Sequence, residues 1–138
     1  MKETFCISLG TLGSFIASLF GGFDASMVTL LVFMSIDYIT GLIVAAVKKS
    51  PKSKSGGLSS KAGLKGLIKK CVIFMLVLVA VRLDLTLGTK YIRDAVCIGF
   101  MVNELLSIIE NAGLLGVPMP SAIKNAVELL QNKDNKNR

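Results

Sequence analysis

The sequence predicts an all-α integral membrane protein with three or four helical spans, a basic cytoplasmic loop and a short amphipathic C-terminal helix. Three observations carry that expectation. Apolar residues make up 52 % of the chain and mean hydropathy is +0.65, whereas soluble domains run at about 45–50 % apolar. Charge is unevenly placed: Thr4–Phe23, Ala25–Val47 and Cys71–Val81 hold one acidic or basic side chain between them, Asp37. The lysines gather in the connections instead, where the positive-inside rule uses them. Residues 1–138 are read as a single membrane domain.

Segment one, 5–23, is uncharged and about 28 Å long as a helix, close to the hydrocarbon thickness of a bilayer. Phe5, Leu9, Leu12, Ile16, Leu19 and Phe23 recur at spacings of four and three. Gly10, Ser14, Ser18 and Gly22 form an i, i+4 ladder on another face, where small residues let a second helix approach closely. The segment fits either a span or a helix lying in the interface. A cleaved signal peptide is disfavoured, because Glu3 cancels Lys2 and no small-residue cleavage site follows.

Segment two, 25–47, is long enough to span with some tilt. Asp37 falls about 16 Å from either end, the costly middle of a bilayer, and shares a helical face with Thr40 and Gly41. An acid there marks either function or helix assembly.

The basic loop, 48–67, carries no acid, and Pro51, Gly56 and Gly57 interrupt any helix before about Ser60. Beyond it Lys61, Lys65 and Lys69 repeat every four residues, with Lys70 beside them. These four are expected at anionic lipid head groups on the cytoplasmic side.

Segment three has an unbroken apolar run only over Cys71–Val81 and reaches span length over 68–87. Its basic ends can snorkel, and Asp84 is expected at the outer head-group level.

Segment four, 95–115, is amphipathic. Asn103, Glu104, Ser107, Glu110 and Asn111 lie within an arc of about 120°, opposite Val96, Met101, Leu105 and Ile108. A stripe this polar at membrane depth must face other helices, other copies or water; the alternative is a helix lying on the membrane surface.

Gly113, Gly116, Pro118 and Pro120 end that helix. A C-terminal helix is expected over Ser121–Gln131, with Ile123, Val127 and Leu130 on one side and a disordered tail beyond, so that 121–138 is helix and tail. If all four segments span, both termini and the lysine loop are cytoplasmic. With three spans the N-terminus changes side.

Several function classes are excluded. The net charge of +7 flanks apolar segments rather than lining a groove, which argues against nucleic acid as a partner. Cys6, Cys71 and Cys97 stand alone in apolar settings and are read as buried thiols. With no histidine, phosphate-binding glycine loop or metal-ligand spacing, no enzyme and no cofactor are expected.

Four short runs occur in order along residues 25–130. They are Asp37-Tyr38-Ile39-Thr40-Gly41, then Ser59-Ser60-Lys61-Ala62-Gly63-Leu64-Lys65-Gly66. Asn103-Glu104-Leu105-Leu106-Ser107-Ile108-Ile109-Glu110-Asn111 and Leu115-Gly116-Val117-Pro118-Met119-Pro120 follow. In content and spacing they resemble the toxin-secretion/phage-lysis holin family. Segment one matches none of the quoted runs. The resemblance implies a small phage or prophage holin of a Gram-positive bacterium, multi-pass in the cytoplasmic (inner) membrane of the host. It implies membrane lipid and a homo-oligomer as partners. It also implies lesions that release an endolysin or a secreted toxin, without required direct contact. It assigns no catalytic or metal-binding residue. The residues themselves also admit a small ion channel or transporter subunit, or a membrane anchor protein, because intramembrane acids mark ion paths too.

Overall fold

A computed structural model describes residues 1–136, apart from the side chains of 127, 130, 131 and 133–135. It is built of helices throughout: α1 Lys2–Leu19, α2 Ala25–Ala46, α3 Ser60–Leu87, α4 Ile92–Leu114 and α5 Ser121–Lys136. The all-helical class is as expected.

The boundaries follow local chemistry. Asp24 caps α2, its carboxylate accepting from the backbone N–H of Met27 at 3.1 Å. Ser59 caps α3 through the N–H of Ala62, so this helix starts eight residues before the expected span. Gly88, in the left-handed conformation, closes α3. Asp84 then bridges to the next helix. Its carboxylate accepts from the N–H groups of Ile92 (3.1 Å) and Arg93 (2.9 Å), donors that the first turn of α4 would otherwise leave unpaired. Asp84 is therefore a buried cap at the turn between α3 and α4.

Helices α2, α3 and α4 form a bundle in which α4 is the common partner; α2 and α3 touch each other only sparsely. At the end near the two short turns the core is apolar: Met27, Leu30, Met34, Val77 and Cys97, flanked by Phe20, Phe74 and Phe100. The outward faces are also apolar, with Val28, Val32, Ile36, Ile39, Val72, Met75, Leu76, Val79 and Ile98 exposed. A soluble domain would cover such a surface with polar side chains.

Helix α1 stands apart. None of its residues is buried, and Phe20 just beyond its end packs edge-on against Phe74 of the bundle. The turn after it is pinned. Arg93 of α4 donates to both carboxylate oxygens of Asp24 (2.8 and 2.9 Å) and to the carbonyl of Gly22 (3.0 Å).

Residues 48–59 are irregular but tied to themselves: Ser50 donates its N–H to Gly56, and the Ser53 hydroxyl donates to the Gly57 carbonyl. Gly56 has φ +73° with the Lys48 carbonyl packed where a Cβ would stand, so only glycine fits. The C-terminal helix continues to Lys136, which replaces the disordered tail expected from Asn132. Val127 and Leu130 lie outside the residues whose side chains are described, as do Asn137 and Arg138 altogether. Cys97 is buried, but Cys6 and Cys71 are exposed on outward faces, unlike the buried thiols expected.

Candidate functional site

At the end of the bundle near the lysine loop, each of the three helices contributes a charged group to one cluster. The Lys70 ammonium of α3 lies 2.7 Å from Asp37 Oδ2 on α2 and 2.6 Å from Glu104 Oε2 on α4. Little of any of the three side chains reaches the surface: 13 %, 10 % and 5 % remain exposed. Asn111, one helical repeat beyond Glu104, completes the arrangement. Its Nδ2 lies within hydrogen-bonding reach of the Thr40 hydroxyl (2.9 Å), Asp37 Oδ1 (3.2 Å) and the Asp37 backbone carbonyl (3.3 Å).

Glycines lie along these contacts. A Cβ built on Gly41 would stand 3.8 Å from the Asn111 amide nitrogen, an ordinary contact distance, so α2 and α4 lie close there. Tyr38 lies against Gly63 and Gly66 of α3, and its hydroxyl reaches the Gly63 carbonyl at 3.4 Å. Three of the four short runs read along the chain thus contribute to the contacts among α2, α3 and α4, while the fourth, 115–120, lies beyond the end of α4.

A cavity of about 230 Å³ opens from the cluster toward the lysine loop. Asp37, Asn103, Glu104, Ser107 and Asn111 line its helical side, and Ser50, Pro51 and Leu58 its loop side. That volume holds several waters, and its polar lining supplies their partners.

The residues expected from sequence divide as follows. Asp37, Thr40, Gly41, Glu104 and Asn111 come together, and Ser107 and Asn103 line the cavity above them. Glu110 is exposed and joins none of these contacts. Gly10, Ser14 and Ser18 are exposed along α1, nothing lies within 4 Å of a Cβ built on Gly10, and Gly22 is engaged through its carbonyl by Arg93. Lys61, Lys65 and Lys69 are exposed. Lys70 corrects the head-group expectation: because α3 begins at Ser60, Lys70 is ten residues inside the helix and turns inward to the two acids. Sequence reasoning also missed the Arg93–Asp24 pair. The guanidinium of Arg93 beside Asp24 holds that carboxyl below its ordinary value.

A buried charge triad inside a helix bundle with apolar outer faces is the arrangement on which comparison with known proteins bears. The model of the bacteriophage holin family matches residues 14–132. The chain belongs to the bacteriophage holin family. An uncharacterized protein of Clostridium perfringens (strain 13 / Type A) is 42 % identical over 134 residues, covering 94 % of each chain. An uncharacterized 14.9 kDa protein from the nagH 3' region of Clostridium perfringens is 44 % identical over 129 residues, 92 % of this chain and 90 % of that one. An uncharacterized protein of Listeria monocytogenes is 38 % identical over 122 residues, 88 % of this chain and 82 % of its own. No solved structure matches the chain. Holins are not enzymes, and membership of the family implies association with the cytoplasmic membrane.

Proposed function

We propose that this holin crosses the cytoplasmic membrane several times, assembles with further copies and opens lesions that release an endolysin or a toxin. The observation that carries the reading is the inside-out distribution of polarity. Apolar side chains cover the outside of α2, α3 and α4, while Asp37, Lys70, Glu104 and Asn111 are held inside.

By length and composition alone, one helix among the described residues is apolar enough to cross a membrane: α2, with mean hydropathy 2.0 over its best window. The charges that dilute α3 and α4 include Lys70, Asp84 and Glu104, and these turn inward. Lipid meets the outward face of a helix, so an average over all faces undercounts spans. On this reading α2, α3 and α4 span, and α1 adds a fourth span or lies in the interface.

The closed bundle pairs Asp37, Lys70, Glu104 and Asn111 with one another within one chain. In the lesion, Asp37 and the stripe Asn103, Glu104, Ser107, Glu110 and Asn111 face neighbouring copies or water. The exposed Lys61, Lys65 and Lys69 rest on anionic head groups at the cytoplasmic side.

Induced expression in a bacterium tests this, following viability and release of a co-expressed cytoplasmic protein of endolysin size. Abrupt death with release of that protein is expected. The cavity reaching the charge triad favours a second reading, a small ion channel. Ion leakage with the protein retained would select it over the lesion.

A further inference from the structure

We infer that α1 of one copy docks into the groove between α2 and α3 of the next, so that copies join head to tail. The inference rests on the oligomeric reading above, with α1 taken as the fourth span, and names the surfaces involved. On the outer side of the bundle an open groove of about 220 Å³ runs between α2 and α3, lined by Leu31, Ser35, Tyr38, Leu67, Cys71 and Phe74, with Lys70 also reaching its wall. It exists because these two helices meet mainly through α4 and leave their outer sides apart. Helix α1 is the unpartnered element of the same chain, with no buried residue and its small-residue face bare.

The groove is continuous with a contact that α1 already makes, since Phe74 at its rim carries the Phe20 ring at 6.0 Å. The chain's own α1 is held out of it. Arg93 fixes Gly22 and Asp24, and Asp24 caps α2, so swinging α1 inward would mean rebuilding that turn. A second copy meets no such obstacle.

Copies in one membrane share a depth, and the Phe20–Phe74 contact sets the level. Ser14 lies about 9 Å below Phe20 along α1, and Cys71 to Leu67 lie about 4–11 Å below Phe74 along α3. Small residues at that level let the helix sink between two others. Because helix and groove are different surfaces of one chain, the contact is heterologous and generates a ring or an open arc, not a closed pair.

The test is oxidative cross-linking of the full chain in membranes. All variants carry Cys6→Ser and retain Cys97, which is buried. One chain keeps Cys71 as its exposed thiol; a second carries Ser14→Cys with Cys71→Ser. Cross-linked pairs are expected only when the two are co-expressed, and a chain holding both thiols should give a ladder of multimers. The docking is overturned by pairs from the Ser14→Cys chain alone, which would place α1 against α1. It is equally overturned by an internal link in the two-thiol chain without multimers, or by no link at all. The readout is chain mass in the membrane, so it fails or succeeds independently of protein release, which tests the lesion.

Discussion

Toward the short turns the bundle is packed by Met27, Leu30, Val77 and Cys97. Toward the lysine loop it is joined by Asp37, Lys70, Glu104 and Asn111. The first region is held by fit. If the bundle spans the membrane as proposed, lipid is as apolar as leucine, and only dispersion and shape favour helix contact over lipid contact there. The second is held by specific partners: a charge parted from its mate in that environment must find another or find water. The apolar end therefore tolerates sliding and rotation, whereas the polar end has one satisfied arrangement in the single chain. On the proposed reading, in which a quiet form gives way to an assembled one, the polar end is the part that can be bistable.

The largest effect is expected from Lys70→Met, which leaves two buried carboxylates without their cation. Its cost is about 3–5 kcal/mol, read as a lowered unfolding midpoint in detergent. Removing all three charges together (Asp37→Asn, Lys70→Met, Glu104→Gln) should recover most of that loss; a triple variant as unstable as the single one would show that the triad is not a closed unit.

Next comes Leu30→Ala in the apolar half, expected to cost about 2 kcal/mol. That is the low end of the range for buried leucines in water, because transfer to lipid contributes little here. A loss larger than that of Lys70→Met would reverse the comparison.

Asn111→Ala should cost about 0.6–1.7 kcal/mol, the range of interhelical hydrogen bonds in membranes, and should advance lysis timing in the expression assay.

The smallest effect belongs to the Arg93–Asp24 pair at the turn end. The Asp24 carboxyl is held below its ordinary value of 3.8, chiefly by the hydrogen bond from Arg93. Its contribution to stability is thus fully present above that value and is lost as pH falls through the lower, folded value. Half-exposed Asp24 is screened by solvent. The unfolding midpoints of the wild type and Arg93→Gln should differ slightly at neutral pH and converge in strong acid.

Much of the polar end was legible in the sequence. Asp37 and Glu104 announce themselves because an acid inside an apolar run has no other explanation. Asn111 and Thr40 follow from helical periodicity. Lys70 was legible only as a charge. With the span taken from 68, it sits at a helix end and reads as a snorkelling lysine; with Ser59 as the cap, it sits ten residues inside the helix. The sequence predicts that helix resumes at about Ser60, as it does, but the span is drawn there from Ile68, and that boundary sets the reading of Lys70.

The Arg93–Asp24 pair, 69 residues apart in sequence, and the Tyr38 contact with Gly63 and Gly66 are tertiary facts that no periodicity encodes. The expected spans located the helices to within a few residues, except at the start of α3, because apolar runs end where caps and turns begin.

The triad has one further consequence, for electrical sensitivity. A membrane voltage does work only on charge displaced along the bilayer normal, about 2.3 kcal/mol for one elementary charge carried fully across 100 mV. Lys70 touches each acid at 2.6–2.7 Å, so in a spanning bundle neither acid can differ from it in depth by more than that distance. If the helices turn about their own axes, the charges part sideways, within the plane of the membrane. Their gating charge is then close to zero, however much pairing energy is exchanged. A response of the proposed spanning bundle to voltage would then need some other movement, a tilt or a vertical slide of a whole helix that carries its charges with it.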